Sequence, residues 1–162
     1  MEDVKYVKDL ATSTKGKTFI KQYESCKLDA YVCPAGKKTI GFGHVVTDDL
    51  ETITHIQAEN LFKSDIKKAE RSLLTLLNLN VELTQGQYDA LVSLIFNVGH
   101  GNLAKSRLLK NINKQKEIDN NAEWLKEIQK EWDFYYAKKD GKTIKLQGLV
   151  NRRKAELAMF SA

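Results

Sequence analysis

The chain has 162 residues, with 26 Lys and Arg against 21 Asp and Glu, a formal charge of +5 and two cysteines. This length fits one compact domain, or two small lobes sharing a helix, with a core large enough to need no covalent or metal staple. Two cysteines do not make a disulfide framework, no apolar run reaches the roughly 18 residues of a spanning helix, and the net charge predicts attraction to polyanions without naming one.

The N-terminus, MEDVKYVKDL, mixes acids with bases and lacks an apolar h-region, so it does not read as a secretory signal, and a soluble protein made in the cytoplasm is expected. Residues 1–13 are weakly patterned and read as a loosely attached arm or a short helix. Ser13 or Thr14 then caps a helix in which Phe19, Ile20 and Tyr23 share an apolar face, and Glu24 ends it beside that face. Partial burial and the negative end of the helix dipole both disfavour a charged carboxylate there, with Lys27 as a counterweight. A carboxyl held neutral near pH 7 can donate a proton. Next, LDAYV and KTIGF flank Pro34-Ala35-Gly36, which predicts a β-hairpin packed against the helix end. Cys33 enters the turn and Thr39 leaves it, so an acid, a thiol and a hydroxyl are expected on one cleft wall. Singly, each has an ordinary explanation as a solvated charge, a buried thiol or a strand residue.

After an acidic loop at 47–51, Thr54-His55-Ile56-Gln57 fits a capping box and opens a long helix. Ala58, Phe62, Ile66, Ala69, Leu73 and Leu76 recur there every three or four residues. Asp65 falls on or beside that apolar face, either paired with His44 or solvated at the rim. A second capping box, Thr84 to Gln87, opens YDALVSLIFNV, apolar on nearly every side and therefore central. It stops at Asn97-Val98-Gly99, where a glycine can supply the left-handed cap. Ser106 caps a short helix through Asn113, and NKQKEIDNN reads as a solvated connection. A helix from about Asn121 is expected to carry Trp124, Ile128, Trp132 and Tyr135 or Tyr136 into the core. Asp140-Gly141 makes a turn, KTIKLQ reads as a short extended piece, and a last helix begins near Gly148. Within it Arg152 and Glu156, four apart, read as an exposed intrahelical pair. His44, His55 and His100 are scattered, no metal-ligand cluster or phosphate loop is evident, and no metal or cofactor is expected.

The ordered string E-x8-C-x5-T followed by I-G-F-G-H, running from Glu24 to His44, closely resembles the catalytic signature of the phage-type lysozymes, endolysins with muramidase activity. Further matches follow in family order at Ala58-Glu59 with Leu61 and Asp65, LTQGQYDALVSLIFNVG, Ser106 with Leu108-Leu109, and GLVNRRKAE, covering about Lys15 to Phe160. The resemblance implies an α+β, mostly helical lysozyme-like fold, one catalytic domain over 1–162. A small β-containing lobe (about 15–60) and a helical lobe (about 61–162) would be joined by the long helix. It implies hydrolysis of the β-1,4 bond between N-acetylmuramic acid and N-acetylglucosamine in bacterial peptidoglycan, with inversion. Glu24, Cys33 and Thr39 would be catalytic, with Asn97 facing the cleft, His44 and Asp65 supporting it, and Arg152 (Arg153 as fallback) beside Glu24. A monomer is expected, with a separate pore-forming holin giving access to the wall and no nucleic-acid partner.

Family members usually carry Asp where this chain has Cys33, and an ordinary thiol is only slightly ionised at neutral pH. Cys33 is then a general base, a nucleophile giving retention, or a weak link that leaves an impaired peptidoglycan-binding protein. Cys26 reads as a packed hydrophobe, with a Cys26–Cys33 disulfide as a further option.

Overall fold

The computed structural model describes residues 3–162, and it is a mostly helical α+β fold as expected. The N-terminal segment is not loose. Strand β1 (Lys5–Tyr6) leads into a 3-10 turn that buries Val7 in the main core. Thr12 then donates from both its backbone N–H and its hydroxyl to Glu70 Oε1 at 2.8 and 2.7 Å. Residues 1 and 2 of the expected arm lie outside the described residues.

Helix α1 (Thr14–Glu24) is capped by Ser13, whose Oγ accepts from Gly16 N–H at 3.0 Å and itself donates to Asp89. It ends abruptly because Ser25 takes φ +46, a left-handed conformation rare for a side chain. The chain turns there into a three-stranded antiparallel sheet, β2 (Lys27–Val32), β3 (Lys38–Gly41) and β4 (His44–Val45). The expected hairpin is β2–β3, with Tyr31 opposite Thr39. The third strand arises because Gly41 and Gly43, at φ +63 and +72, reverse the chain at Phe42. Cys26 and Cys33 stand at opposite ends of β2, roughly 20 Å apart for an extended strand and beyond the ~7 Å reach of a disulfide. That pairing is excluded, and both thiols are free.

Behind the sheet, Ile40, Val46, Ile53 and Ala58 form a small core with Cys26 packed against it. Helix α2 (His55–Leu76), opened by the Thr54–Gln57 capping box, joins this core to a larger one: Ala58 faces the first, and Phe62, Ile66, Ala69 and Leu73 face the second. Strand β5 (Glu82–Leu83) pairs with β1. Helix α3 (Gln85–Val98) follows its own capping box and is buried at every residue from Gln87 to Ile95, so the rest packs around it. Short helices α4 (His100–Ala104) and α5 (Arg107–Asn113) follow, the latter capped by Ser106, then a 3-10 turn and α6 (Asn121–Lys130).

The sequence pattern extends α6 too far. The helix stops at Lys130, where an aromatic run that favours extended backbone begins. Trp132 is still buried, packed on Phe160 with ring centroids 5.2 Å apart, but Tyr136 is exposed and opens a strand. Strands β6 (Tyr136–Lys139) and β7 (Lys142–Lys145) form a ribbon about Asp140-Gly141, both with positive φ as a tight hairpin turn requires. KTIKLQ is thus half of a hairpin. Helix α7 (Gln147–Ser161) closes the fold against α3. No helix among the described residues is long and apolar enough to cross a membrane.

Gly16 locks the N-terminal segment onto this frame, because a Cβ there would lie 2.6 Å from Asp89 Cγ. Gly16→Ala is expected to cost about 1–3 kcal/mol by overpacking, read as a lower midpoint in thermal or urea unfolding.

Candidate functional site

Glu24 is the last residue of α1, and burial of Ile20 one turn earlier seats that helix end inside the fold. Its side chain is 14% exposed, and Oε1 accepts from Arg152 Nη1 at 2.5 Å across 128 residues of sequence. Oε2 lies against Gly43, where a Cβ would overlap the carboxylate. One oxygen is therefore held by a cation, and the other is left beside a backbone that has no side chain to cover it.

The Arg152–Glu156 pair is not an exposed ornament of α7. Both residues are buried, because α7 turns this face inward against the central helix α3. Glu156 Oε1 accepts from Arg152 Nε at 3.2 Å, Arg153 Nη2 at 2.9 Å and Ser93 Oγ at 2.6 Å, while Trp132 Nε1 donates to Oε2 at 3.2 Å. Arg152 Nη2 also reaches the Ser93 carbonyl at 3.2 Å, and Arg153 Nη1 the Phe134 carbonyl at 3.2 Å. Arg153 Nε sits 2.8 Å from Glu156 Oε2 with its N–H out of line, an ion contact rather than a hydrogen bond. Burial pulls Arg153 below the ordinary guanidinium value, Glu156 opposes that pull, and Arg152 adds to it. Two guanidinium groups and two carboxyl groups make a paired, hydrogen-bonded quartet, the condition under which buried charges persist.

Cys33 and Thr39 come from the hairpin. Cys33 N–H donates to the Lys37 carbonyl at 2.9 Å, Gly36 N–H donates to the Cys33 carbonyl at 2.8 Å, and the buried Thr39 hydroxyl donates to that same Lys37 carbonyl at 3.0 Å. Burial pushes the Cys33 thiol up. The Lys37 N–H, the Thr39 hydroxyl, the Ala35 N–H and the Lys37 ammonium together outweigh burial, and the thiol falls below its ordinary value. Thr39 has one proton to give, so it serves the carbonyl beside a neutral thiol and must rotate to serve a thiolate. Tyr31, paired with Thr39, has its phenol raised by burial and then by the charges of Glu24 and Cys33, which puts both groups within electrostatic reach of one ring.

His44 and Asp65 do pair, Nδ1 to Oδ2 at 2.8 Å, tying β4 to α2. They line an open cleft of about 390 Å³ that also contains Lys37, Gly43, Lys68 and Asn97. Asn97 is exposed near the end of α3 and lines this cleft. Sequence reasoning paired Arg152 with Glu24 through resemblance, yet missed Ser93, Trp132, Tyr31 and Lys37. It also missed that the quartet is interior. A usable signal existed, since Arg153 falls in line with Val150, Leu157 and Phe160 on the stripe of α7 that carries its apolar residues. Glu156→Gln removes the anion between two buried guanidinium groups and is expected to cost about 3–5 kcal/mol, measured as a shift in urea midpoint at constant m-value.

The phage lysozyme family matches residues 21–156. The endolysin of Acyrthosiphon pisum secondary endosymbiont phage 1 is 40% identical over 151 residues, covering 93% of this chain and 97% of that protein. The endolysin of Salmonella phage P22 is 36% identical over 155 residues, covering 91% and 96%. The muramidase domain of SpmX from Asticaccaulis excentricus superposes with a TM-score of 0.74 at 28% identity, covering 93% of this chain and 97% of that one. With the signature, the fold and these relatives in agreement, this chain belongs to the phage lysozyme family and is a lysozyme-type glycoside hydrolase.

Proposed function

We propose that the chain is one catalytic domain that cleaves the β-1,4 bond between N-acetylmuramic acid and N-acetylglucosamine in peptidoglycan, with Glu24 as general acid and Cys33 as general base. The observation that carries this reading is the asymmetry of Glu24, with one oxygen on Arg152 and the other uncovered at Gly43. The uncovered oxygen gives its proton to the departing glycosidic oxygen. On the other face of the sugar, the Cys33 thiolate takes a proton from a water whose oxygen bonds to the anomeric carbon, giving inversion. Thr39 turns its hydroxyl from the Lys37 carbonyl to orient that water or the thiolate. Glu156 shares the charge of Arg152, so Glu24 is not its sole partner. Asn97 and the His44–Asp65 pair position the glycan along the cleft. The protein acts as a monomer on the wall after synthesis in the host cytoplasm, with a holin opening the membrane.

Product analysis of digested peptidoglycan tests the bond and its stereochemistry together. New reducing-end N-acetylmuramic acid with inverted configuration is expected. Wall binding without reducing ends would leave only a binding protein. Glu24→Gln is expected to lower clearing of cell walls by at least about 10²-fold, the lower bound for losing a general acid. The pH profile tests Cys33. Its thiolate exists above the folded thiol pKa, so activity falls as pH drops through that value. In Cys33→Asp the base stays ionised down to about 3.9, and the acidic limb moves to lower pH with lysis retained. An unchanged profile, or full activity in Cys33→Ala, removes Cys33 from the mechanism.

A further inference from the structure

The guanidinium of Arg152 commits each of its nitrogens to a different partner. Nε goes to Glu156 Oε1 at 3.2 Å, Nη1 to Glu24 Oε1, and Nη2 to the carbonyl of Ser93 at 3.2 Å. Ser93 is fully buried on α3 and turns its hydroxyl to the same group. Its Oγ lies 3.4 Å from Nη2 while donating its one proton to Glu156 Oε1 at 2.6 Å. That carboxylate oxygen accepts from Ser93, Arg152 and Arg153, and the serine is the shortest of the three. The hydroxyl thus touches both Arg152 and the carboxylate that competes with Glu24 for it, and its burial keeps it away from any substrate.

We infer that Ser93 is a positioning residue of the reaction, whose hydroxyl divides Arg152 between its two carboxylates so that Nη1 stays on Glu24. This rests on the reading of Glu24 as general acid. A buried carboxylate oxygen that loses its shortest donor draws harder on those that remain. Without the hydroxyl, Arg152 is the donor able to answer, because Nη2 keeps only the Ser93 carbonyl, whereas Arg153 is also tethered to the carbonyl of Phe134. A guanidinium is a rigid fork, so a shift of Nε towards Glu156 carries Nη1 away from Glu24. The Glu24 oxygen beside Gly43 then loses the fixed aim that the Arg152 contact on its twin supplies, and misplacement of a reacting group is felt in rate.

Ser93→Ala, Ser93→Cys and Ser93→Thr separate this role from packing. Cysteine changes the shape least but offers only a weak donor, whereas threonine keeps the hydroxyl and adds a methyl to a filled interior. Reducing ends released from purified wall give kcat and KM, and urea unfolding gives the stability of each variant, with the assay held where all are folded. Ser93→Ala and Ser93→Cys are each expected to lose about tenfold in kcat, the worth of one hydrogen bond to a charged group, with KM unchanged. Ser93→Thr is expected to recover most of that loss even where its methyl lowers stability. A packing role ranks the variants by shape instead, with Ser93→Cys the most active. That ranking, full kcat in Ser93→Ala, or a folded Ser93→Thr no faster than Ser93→Ala overturns the inference. Glu24→Gln releasing reducing ends at the wild-type rate overturns the general-acid reading beneath it, whatever the Ser93 variants do.

Discussion

The contact between Arg152 and Glu24 is the constraint around which this structure is arranged. A lone arginine this deeply enclosed would be prohibitively costly to desolvate. Glu156 offsets that cost by sitting between two arginines and collecting hydrogen bonds from Ser93 and Trp132. The result is a charged interior that is paired and hydrogen-bonded, supported by α3 on one side and the aromatic segment after α6 on the other. Helix α7 can then pack tightly while still delivering a guanidinium to the end of α1.

The sheet meets this support from the opposite direction. Its small core seats β3, and the two glycines flanking Phe42 bend the chain so that Gly43 touches Glu24 without covering it. The same strand turns Thr39 inward, while the turn before it surrounds Cys33 with N–H groups and a lysine. The Cys33 thiol thus sits in surroundings that favour an anion. Lys21 reinforces the junction, paired with Glu59 and lying about equally close to the rings of Phe42 and Phe62.

Much of this was legible in the residues. Capping boxes at Thr54 and Thr84 located two helices, the apolar stripe from Ala58 to Leu73 oriented α2, and Asp65 beside that stripe pointed to His44. What failed was mostly non-local. Periodicity ran α6 through Trp132 because aromatic spacing alone cannot distinguish a helix from an extended segment whose tryptophan folds back onto Phe160. The first thirteen residues looked loose because their partners, Glu70, Glu82, Leu83 and Asp89, lie far downstream. Arg152 and Glu156 looked exposed because helical spacing shows which residues are neighbours, not whether another helix covers them.

The separation of Glu24 from Arg152 also bears on when the enzyme comes into being. During synthesis the acid, the hairpin and the cleft wall emerge before the helix that holds the acid in place. A nascent chain lacking α7 has Glu24 at a helix end with no cation to hold it and a central helix with one flank bare.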